Sequence, residues 1–492
     1  MSTPRLAIEL MQHVVDIIAE DTTPESLRLR TLAACSATTS ALLAASQRHL
    51  FRSVSVYHHL TGTDRRQGAE SLWEAGPEFQ TLCATTPLVI RSITGSPRLA
   101  SYVKDVKFRF SGYASHRSGP VLDAILQLIN IESLFIGFYP APIDRGDNAS
   151  PIGGDVQSTI LHIMQRPSIK KLTLESIRWL PPQLIFGAPG LHELVLHGSG
   201  SRELGYLLRK NLSSVPSLRA LTCDRSSLRD CIGEWLRTGD PREKSMFRKI
   251  LVGLQTLYLQ LETDYIPLNS HVPVLQRIES LKELFLTAHN VLNGPSPYGP
   301  FTPPLQRVNP AAFDTLSRLT LNVFTQTIHS EGDQIAQALG DPYVGLCDTP
   351  LSNFTALESL HINLSFQSYD LDFNAAPGFE SQWRVLSDIL TFPNAFPVLK
   401  EVRVDVTVHG TGTGMLNAAE AANQLLALVK PQFRALEELD SSGVIDFDFH
   451  VWRTPGRPRP SSVRGRRRVV GYGHGPRALN VGAYVEVFGS VP

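Results

Sequence analysis

Leu281-Lys-Glu-Leu284-Phe-Leu286 places apolar residues at the first, fourth and sixth positions of a six-residue window. The window recurs as Ile131-Glu-Ser-Leu134-Phe-Ile136, Ile169-Lys-Lys-Leu172-Thr-Leu174, Leu191-His-Glu-Leu194-Val-Leu196, Leu218-Arg-Ala-Leu221-Thr-Cys223 and Leu254-Gln-Thr-Leu257-Tyr-Leu259. It returns as Leu316-Ser-Arg-Leu319-Thr-Leu321, Leu357-Glu-Ser-Leu360-His-Ile362 and Leu399-Lys-Glu-Val402-Arg-Val404. Tyr102-Val103-Lys-Asp-Val106-Lys-Phe108 reads as an earlier member, and Leu436-Glu-Glu-Leu439 as a failing last one. The fourth and sixth positions are apolar around a variable fifth, which is the period of a strand with one buried face. Successive windows start 22 to about 42 residues apart, long enough for crossovers between parallel strands. Helix periodicity fills several connections, at 121–129, 155–164 and 381–390. Helix and strand alternate, so an α/β chain is expected.

The pattern resembles the leucine-rich repeat, in which each window is a short strand on the concave side of a solenoid. The resemblance implies one parallel sheet with helices on its convex side. The array is expected to be irregular, because the spacing exceeds the roughly 20–29 residues of regular repeats. The Asn that normally follows the strand is also mostly missing, so the turns must be held otherwise. In Leu172-Thr173-Leu174-Glu175 the leucines face the core, and Thr173 and Glu175 face the concave surface. The same rule exposes Val195 and His197, Thr222 and Asp224, Tyr258 and Gln260, Phe285 and Thr287. It continues through Thr320 and Asn322, His361 and Asn363, and Arg403 and Asp405. A face mixing aromatic, polar and charged groups of both signs suits a protein partner. Glu175, His197, Asp224, Tyr258, Phe285, Asn322, His361 and Arg403 are the candidate target-binding residues. The turn-rich interruptions at 139–154 and 290–304 are long enough to be binding loops or mobile insertions.

Ahead of the repeats the chain reads as short helices. Thr3 can cap a helix with Pro4 at its first position. Leu6, Leu10, Val14 and Ile17/Ile18 then recur at three- and four-residue spacing, one apolar face. Asp21-Thr-Thr-Pro24-Glu25 repeats the start signal. The Ala/Leu-rich stretch from Leu32 to Ala45 is expected to be one further helix, and a strand begins within His49-Leu50-Phe51-Arg52-Ser53-Val54-Ser55-Val56. Leu6-Ala7-Ile8-Glu9-Leu10, Val14-Val15-Asp16-Ile17-Ile18, Leu32-Ala33-Ala34-Cys35-Ser36 and Arg48-His49-Leu50-Phe51-Arg52-Ser53-Val54 together resemble the fungal F-box. That resemblance covers about residues 5–56. It implies a helical module that docks on a Skp-type adaptor and so joins the cullin scaffold of an SCF-type ubiquitin ligase. The adaptor-binding set it implies is Leu6, Ile8, Glu9, Leu10, Val14, Ile17, Ile18, Leu32, Leu42 and Leu43. The other reading of the same residues is an ordinary helical cap on a leucine-rich scaffold that never joins a ligase.

The expected organisation is a helical module at 1–56, a linker and helical connection at 57–98, the solenoid at 99–450 and a basic tail at 451–492. With 492 residues, 46 Lys plus Arg and 46 Asp plus Glu, the chain lacks the cationic surplus of a dedicated nucleic-acid binder. It has no run of about 18 uncharged apolar residues, and Glu9, Asp16, Glu20 and Asp21 interrupt its first apolar region. A membrane span and a secretory signal are therefore not expected, and the expected location is cytoplasmic and/or nuclear. Five scattered cysteines form no CxxC pair, so neither a disulfide framework nor a structural zinc is expected.

No catalytic constellation and no cofactor motif are found. The run Gly410-Thr-Gly412-Thr-Gly414 before a helix-like segment lacks the spacing of a phosphate cradle. Asp446, Asp448 and His450 would share one strand face, without a fourth metal ligand. Gly198-Ser-Gly-Ser is not a nucleophile elbow. Between Arg453 and Val485 there are eight arginines and no acidic residue. With dense Pro and Gly this reads as a disordered tail, with a nuclear address as one use of its charge.

Overall fold

The computed structural model describes residues 8–59, 77–111, 119–138, 154–177, 188–199, 217–233, 241–262, 271–289, 304–326, 351–368, 379–410 and 418–454. Thr3, Pro4, Leu6, the bulk of the two long interruptions, residues 411–417 and the tail beyond 454 lie outside these residues. Among the described residues twelve strands form one parallel sheet whose spatial order is the order of the chain. They are β1 (Ser53–His59), β2 (Asp105–Ser111), β3 (Ser133–Phe138), β4 (Lys171–Glu175), β5 (Glu193–His197) and β6 (Ala220–Cys223). The remainder are β7 (Thr256–Glu262), β8 (Glu283–His289), β9 (Arg318–Gln326), β10 (Ser359–Ser368), β11 (Glu401–Gly410) and β12 (Asp446–Thr454). This is an α/β solenoid of parallel strands in chain order, and its first described strand lies at the end of the stretch read as the helical module.

Register explains why the six-residue window governs the fold. Fourth-position residues line up across the sheet in one column, with Leu134, Leu172, Leu194, Leu221, Leu257, Leu284, Leu319, Leu360 and Val402 as direct partners. Every one of them is buried, and most of the sixth-position column from Ile136 to Val404 is equally closed. Each fully buried aliphatic side chain contributes about 1.5–3 kcal/mol relative to exposure. A strand shifted by one residue would turn its whole apolar set to the concave side.

At the strand entrances one backbone contact repeats along the array. The carbonyl of Lys104 accepts N–H groups from Glu132 and Ser133, and that of Glu132 accepts from Lys170 and Lys171. The same double acceptance repeats at Lys170, His192, Arg219, Gln255, Lys282, Ser317 and Glu358. A continuous spine of two-fold accepting carbonyls thus runs along the strand entrances and meets the demand that buried backbone polar groups be paired.

The convex side carries α4 (Pro77–Gly95), α5 (Pro97–Tyr102), α6 (Pro120–Gln127), α7 (Gly154–Met164), α8 (Pro241–Val252), α9 (His271–Leu275), α10 (Phe379–Thr391), α11 (Ala418–Val429) and α12 (Arg434–Ser441). Two expectations are corrected at the C-terminal end. Leu436-Glu-Glu-Leu439 is not a failing strand but part of α12, with Leu436 buried; a three-residue apolar spacing serves a helix equally well. Among the described residues the last strand is β12, and its window is Val444-Ile-Asp-Phe447-Asp-Phe449.

Before the sheet come α1 (Ile8–Glu20), α2 (Glu25–Thr38) and α3 (Ser40–Leu50). The stretch from Leu32 to Ala45, expected as one helix, is broken at Thr39. That residue is extended (φ −146°, ψ 149°), and its hydroxyl accepts the Leu42 N–H at 3.3 Å. A Thr at this point competes with the helix for backbone hydrogen bonds and starts a new one instead. The three helices share a small core of Val15, Leu32 and Ala45, with Ile18, Ala19, Leu42 and Leu50 packed against it. This core is separate from the one under the sheet.

Candidate functional site

Two surfaces collect the residues singled out above. The first is on α1 and α2. The apolar residues of α1 do not form one face. Val15, Ile18 and Ala19 turn into the small core. Leu10, Val14 and Ile17, spaced four and three residues apart, form a second stripe about a third of a turn away. These three are 54%, 48% and 56% exposed. Ile8 on α1 and Leu27 and Leu29 on α2 are exposed as well, as is Glu9. A helix apolar on two sides either lies in a core or meets a partner.

The implied adaptor set therefore divides. Leu10, Val14 and Ile17 are free for contact, with Ile8 and Glu9 beside them. Leu32 is buried, and Ile18 and Leu42 pack on the small core. The expectation that Leu32 contacts a partner is corrected: a side chain with 2% of its surface exposed holds the helices together. Leu43 is half-buried. The module is also pinned by Asp16, whose Oδ1 accepts from Arg48 Nη2 at 2.7 Å and lies 2.6 Å from His49 Nε2. The His49 hydrogen bond, reinforced by Arg48 against a desolvation cost, holds the Asp16 carboxyl below its ordinary range.

The second surface is the concave face. Register places Tyr258 beside Phe285, and Thr320, His361, Arg403 and Asp448 follow in the same row. The Tyr258 and Phe285 rings stack with centroids 4.0 Å apart and planes at 6°. Burial raises the Tyr258 hydroxyl pKa, and the nearby Glu283 carboxylate adds to it. A second row, two residues further along each strand, holds Glu175 beside His197. In the same row, past β6, come Thr287, Asn322, Asn363, Asp405 and His450. Asn363 Nδ2 donates to Asn322 Oδ1 at 2.7 Å, and Asn322 Nδ2 donates to Thr287 Oγ1 at 3.2 Å. These side chains make a polar ladder across three strands.

The ladder leads to Asp405, where the sequence reading needs correction. Alternation is right about its side of the sheet, yet it is 7% exposed. Neighbouring side chains on the concave side cover it. Its carboxylate accepts from His361 Nε2 at 2.9 Å, Arg403 Nε at 2.7 Å and Trp452 Nε1 at 2.9 Å. Burial alone would raise its pKa; the donors from His361, Arg403 and Trp452 outweigh that and hold it far below the usual carboxylate range. The same pairing raises the Arg403 guanidinium. Val195, Thr287 and Thr320, expected to be exposed, are likewise buried.

Asp405 therefore acts as an organiser. It orients His361 and Arg403 and fixes the indole of Trp452, which is 50% exposed and stacks on His450 at 5.4 Å. Trp452 was missed by the sequence reading. It shares the parity of Asp446, Asp448 and His450 on β12, which is the signal that would have found it. Asp448 lies 3.4 Å from His450 Nε2. Among the described residues no group of three His, Cys, Asp or Glu is disposed to hold a metal ion.

Asp224 departs from the expected row. It lies one residue past β6, and its carboxylate is used internally, accepting from Gly198 N at 2.6 Å and Ser227 N at 2.9 Å. Gly198 has φ +59°, a conformation that favours glycine. The neighbouring Ser199 is buried, and its hydroxyl bonds the Leu174 and His197 carbonyls, so this segment is structural. No helix among the described residues is long and apolar enough to cross a membrane.

No family model matches the chain, and no curated protein matches it. Among solved structures, an internalin from Listeria monocytogenes is similar at 12% identity, covering 74% of this chain and 88% of its own, with a TM-score of 0.27. The assignment of the fold rests on strand order and register, not on that likeness.

Proposed function

We propose that the chain is a substrate receptor of an SCF-type ubiquitin ligase. In this reading α1 and α2 dock on a Skp-type adaptor that joins the cullin scaffold, and the concave face holds a target protein. The observation that carries it is the exposed stripe Leu10, Val14 and Ile17 with Leu27, on a helical module with its own core. Apolar residues left over after that core is filled are what a partner helix would bury. The concave row of Tyr258, Phe285, His361 and Arg403, with Trp452 further along β12, supports the second half. Aromatic and Arg side chains held in place by stacking and ion pairing are the residue types that dominate protein interfaces. The chain carries out no chemistry of its own in this reading; it presents the target.

The test is co-purification of the full chain with a Skp-type adaptor. A stable complex is the expected result. Its absence would leave a leucine-rich interaction scaffold, the reading in which the concave face acts without a ligase.

A further inference from the structure

Row by row, the concave face changes character. At the strand entrances, charged residues of neighbouring strands pair with each other. Lys171 Nζ lies 2.7 Å from Glu193 Oε1, and Arg318 Nη1 lies 3.3 Å from Glu283 Oε1. Two residues further along each strand the row is uncharged from β3 to β9. Phe135, Thr173, Val195 and Thr222 run on into Tyr258, Phe285 and Thr320, each beside the next. Neighbouring strands stand about 4.8 Å apart, so this track is about 29 Å long. An extended chain rising about 3.3 Å per residue covers it with about nine residues. Beside its aromatic part runs the ladder of Thr287, Asn322 and Asn363. Hydroxyl and amide side chains both donate and accept, which suits the backbone of an extended ligand.

The two ends of the track carry opposite charge. Before it, on β2, stand the exposed Lys107 and Arg109, whose guanidinium lies over the Phe135 ring at 5.3 Å. Asp105 at the entrance of β2 is answered by Arg52 at 3.7 Å, and Glu175 of β4 offsets one of the two cations. Past the track, β11 and β12 present Glu401, Asp446 and Asp448 on the same side of the sheet, all exposed. Arg403 stands among them, but its charge is taken by Asp405, whose Oδ2 accepts its Nε at 2.7 Å.

We propose that the concave face takes an extended peptide segment of defined charge polarity. About nine uncharged residues lie over the track, acidic residues lie over β2, and basic residues lie over β11 and β12. This rests on the reading of the concave face as the target surface and adds the target's chemistry and its direction. An apolar side chain at the centre of the segment lies on the stacked Tyr258 and Phe285 rings. The opposite direction sets like charges against each other at both ends, the kind of mismatch by which interfaces reject wrong partners. A nucleic acid does not fit, because its phosphates would cross an uncharged track and end on carboxylates.

The test is selection of displayed random peptides, about fifteen residues long, against the full chain, followed by fluorescence anisotropy of the enriched sequences. The expected sequences share an uncharged centre with acidic residues on one side and basic residues on the other, in one chain direction. Exchanging the end charges of the protein, Lys107→Glu with Asp448→Lys, should weaken their binding by at least about tenfold. The same variant should instead prefer those peptides with their charged ends exchanged, a gain that misfolding does not produce. Enriched peptides that lack the polarity yet are weakened by Phe285→Ala overturn the proposal and leave the concave face as the target surface. Enriched peptides indifferent to Phe285→Ala and to the charge exchange bind elsewhere and overturn both. A selection that enriches nothing overturns the proposal, while adaptor co-purification reads the ligase half separately.

Discussion

Replacing Leu10 and Ile17 together by Asp perturbs the N-terminal stripe without touching the small core beneath it. Each side chain is a little over half exposed. With about 1.5–3 kcal/mol for complete burial of such a side chain, covering the exposed half is worth about 1 kcal/mol each, so the pair contributes about 2 kcal/mol to docking. Setting two carboxylates against an apolar partner surface adds a desolvation cost of at least about 2 kcal/mol. The sum, about 4 kcal/mol, is a roughly thousandfold loss of affinity. The fold should survive, since surface substitutions outside packed features usually change stability by no more than about 0.5 kcal/mol. An acidic residue at position 10 even favours the positive end of α1. The assay is calorimetric titration of the full chain with purified Skp-type adaptor, with circular dichroism of both proteins as the control. A double variant that binds within threefold of the wild type would refute the reasoning, because the stripe would then not be the contact.

Three further predictions concern the solenoid. Asp405→Asn removes the charge that three donors share and should cost about 2–3 kcal/mol, read as faster amide exchange confined to β10–β12; unchanged exchange there would show that the cluster is not structural. Because the folded Asp405 pKa lies below the ordinary value, its contribution is complete above about pH 4. It is lost as the pH falls toward the folded pKa, so acid should weaken wild-type β10–β12 and leave the Asn variant indifferent at this site. Leu257→Ala, in the buried column, should cost about 2–5 kcal/mol and loosen chiefly β6–β8, since repeats couple to nearest neighbours; a uniform loss over all strands would contradict that. A double-mutant cycle at Tyr258 and Phe285 should give a coupling of about 0.5–1.5 kcal/mol from their stacking, and a coupling near zero in chemical denaturation would argue against the stacked pair.

The strands were legible because the window couples two signals, a six-residue spacing and a period of two, and both columns end up buried. The failures share a cause: sequence spacing carries no information on which neighbour covers a residue. Asp405 sits on the side that alternation gives it, and His361 and Trp452 reach it from the neighbouring strands. Asp224 lies past the end of β6, where Gly198 and Ser227 claim its oxygens. Leu436 and Leu439 satisfied the spacing of a strand start while belonging to a helix. On α1, a single apolar face was read where two stripes exist, because three- and four-residue spacings drawn through Ile17 and Ile18 join sides that the packed helix separates. Trp452 needed the pairing of β12 with β11, which sets its indole against Asp405.

The spine of two-fold accepting carbonyls makes the solenoid a ruler whose marks are strands, not residues. Neighbouring strands stand about 4.8 Å apart whatever the length of chain between them. Shortening the connection between β9 and β10 by ten residues would leave the span of the concave face unchanged. Excising one whole repeat would bring the α1 stripe and Trp452 closer by one such step. The distance between whatever is held at the two ends is therefore set by how many repeats are stacked.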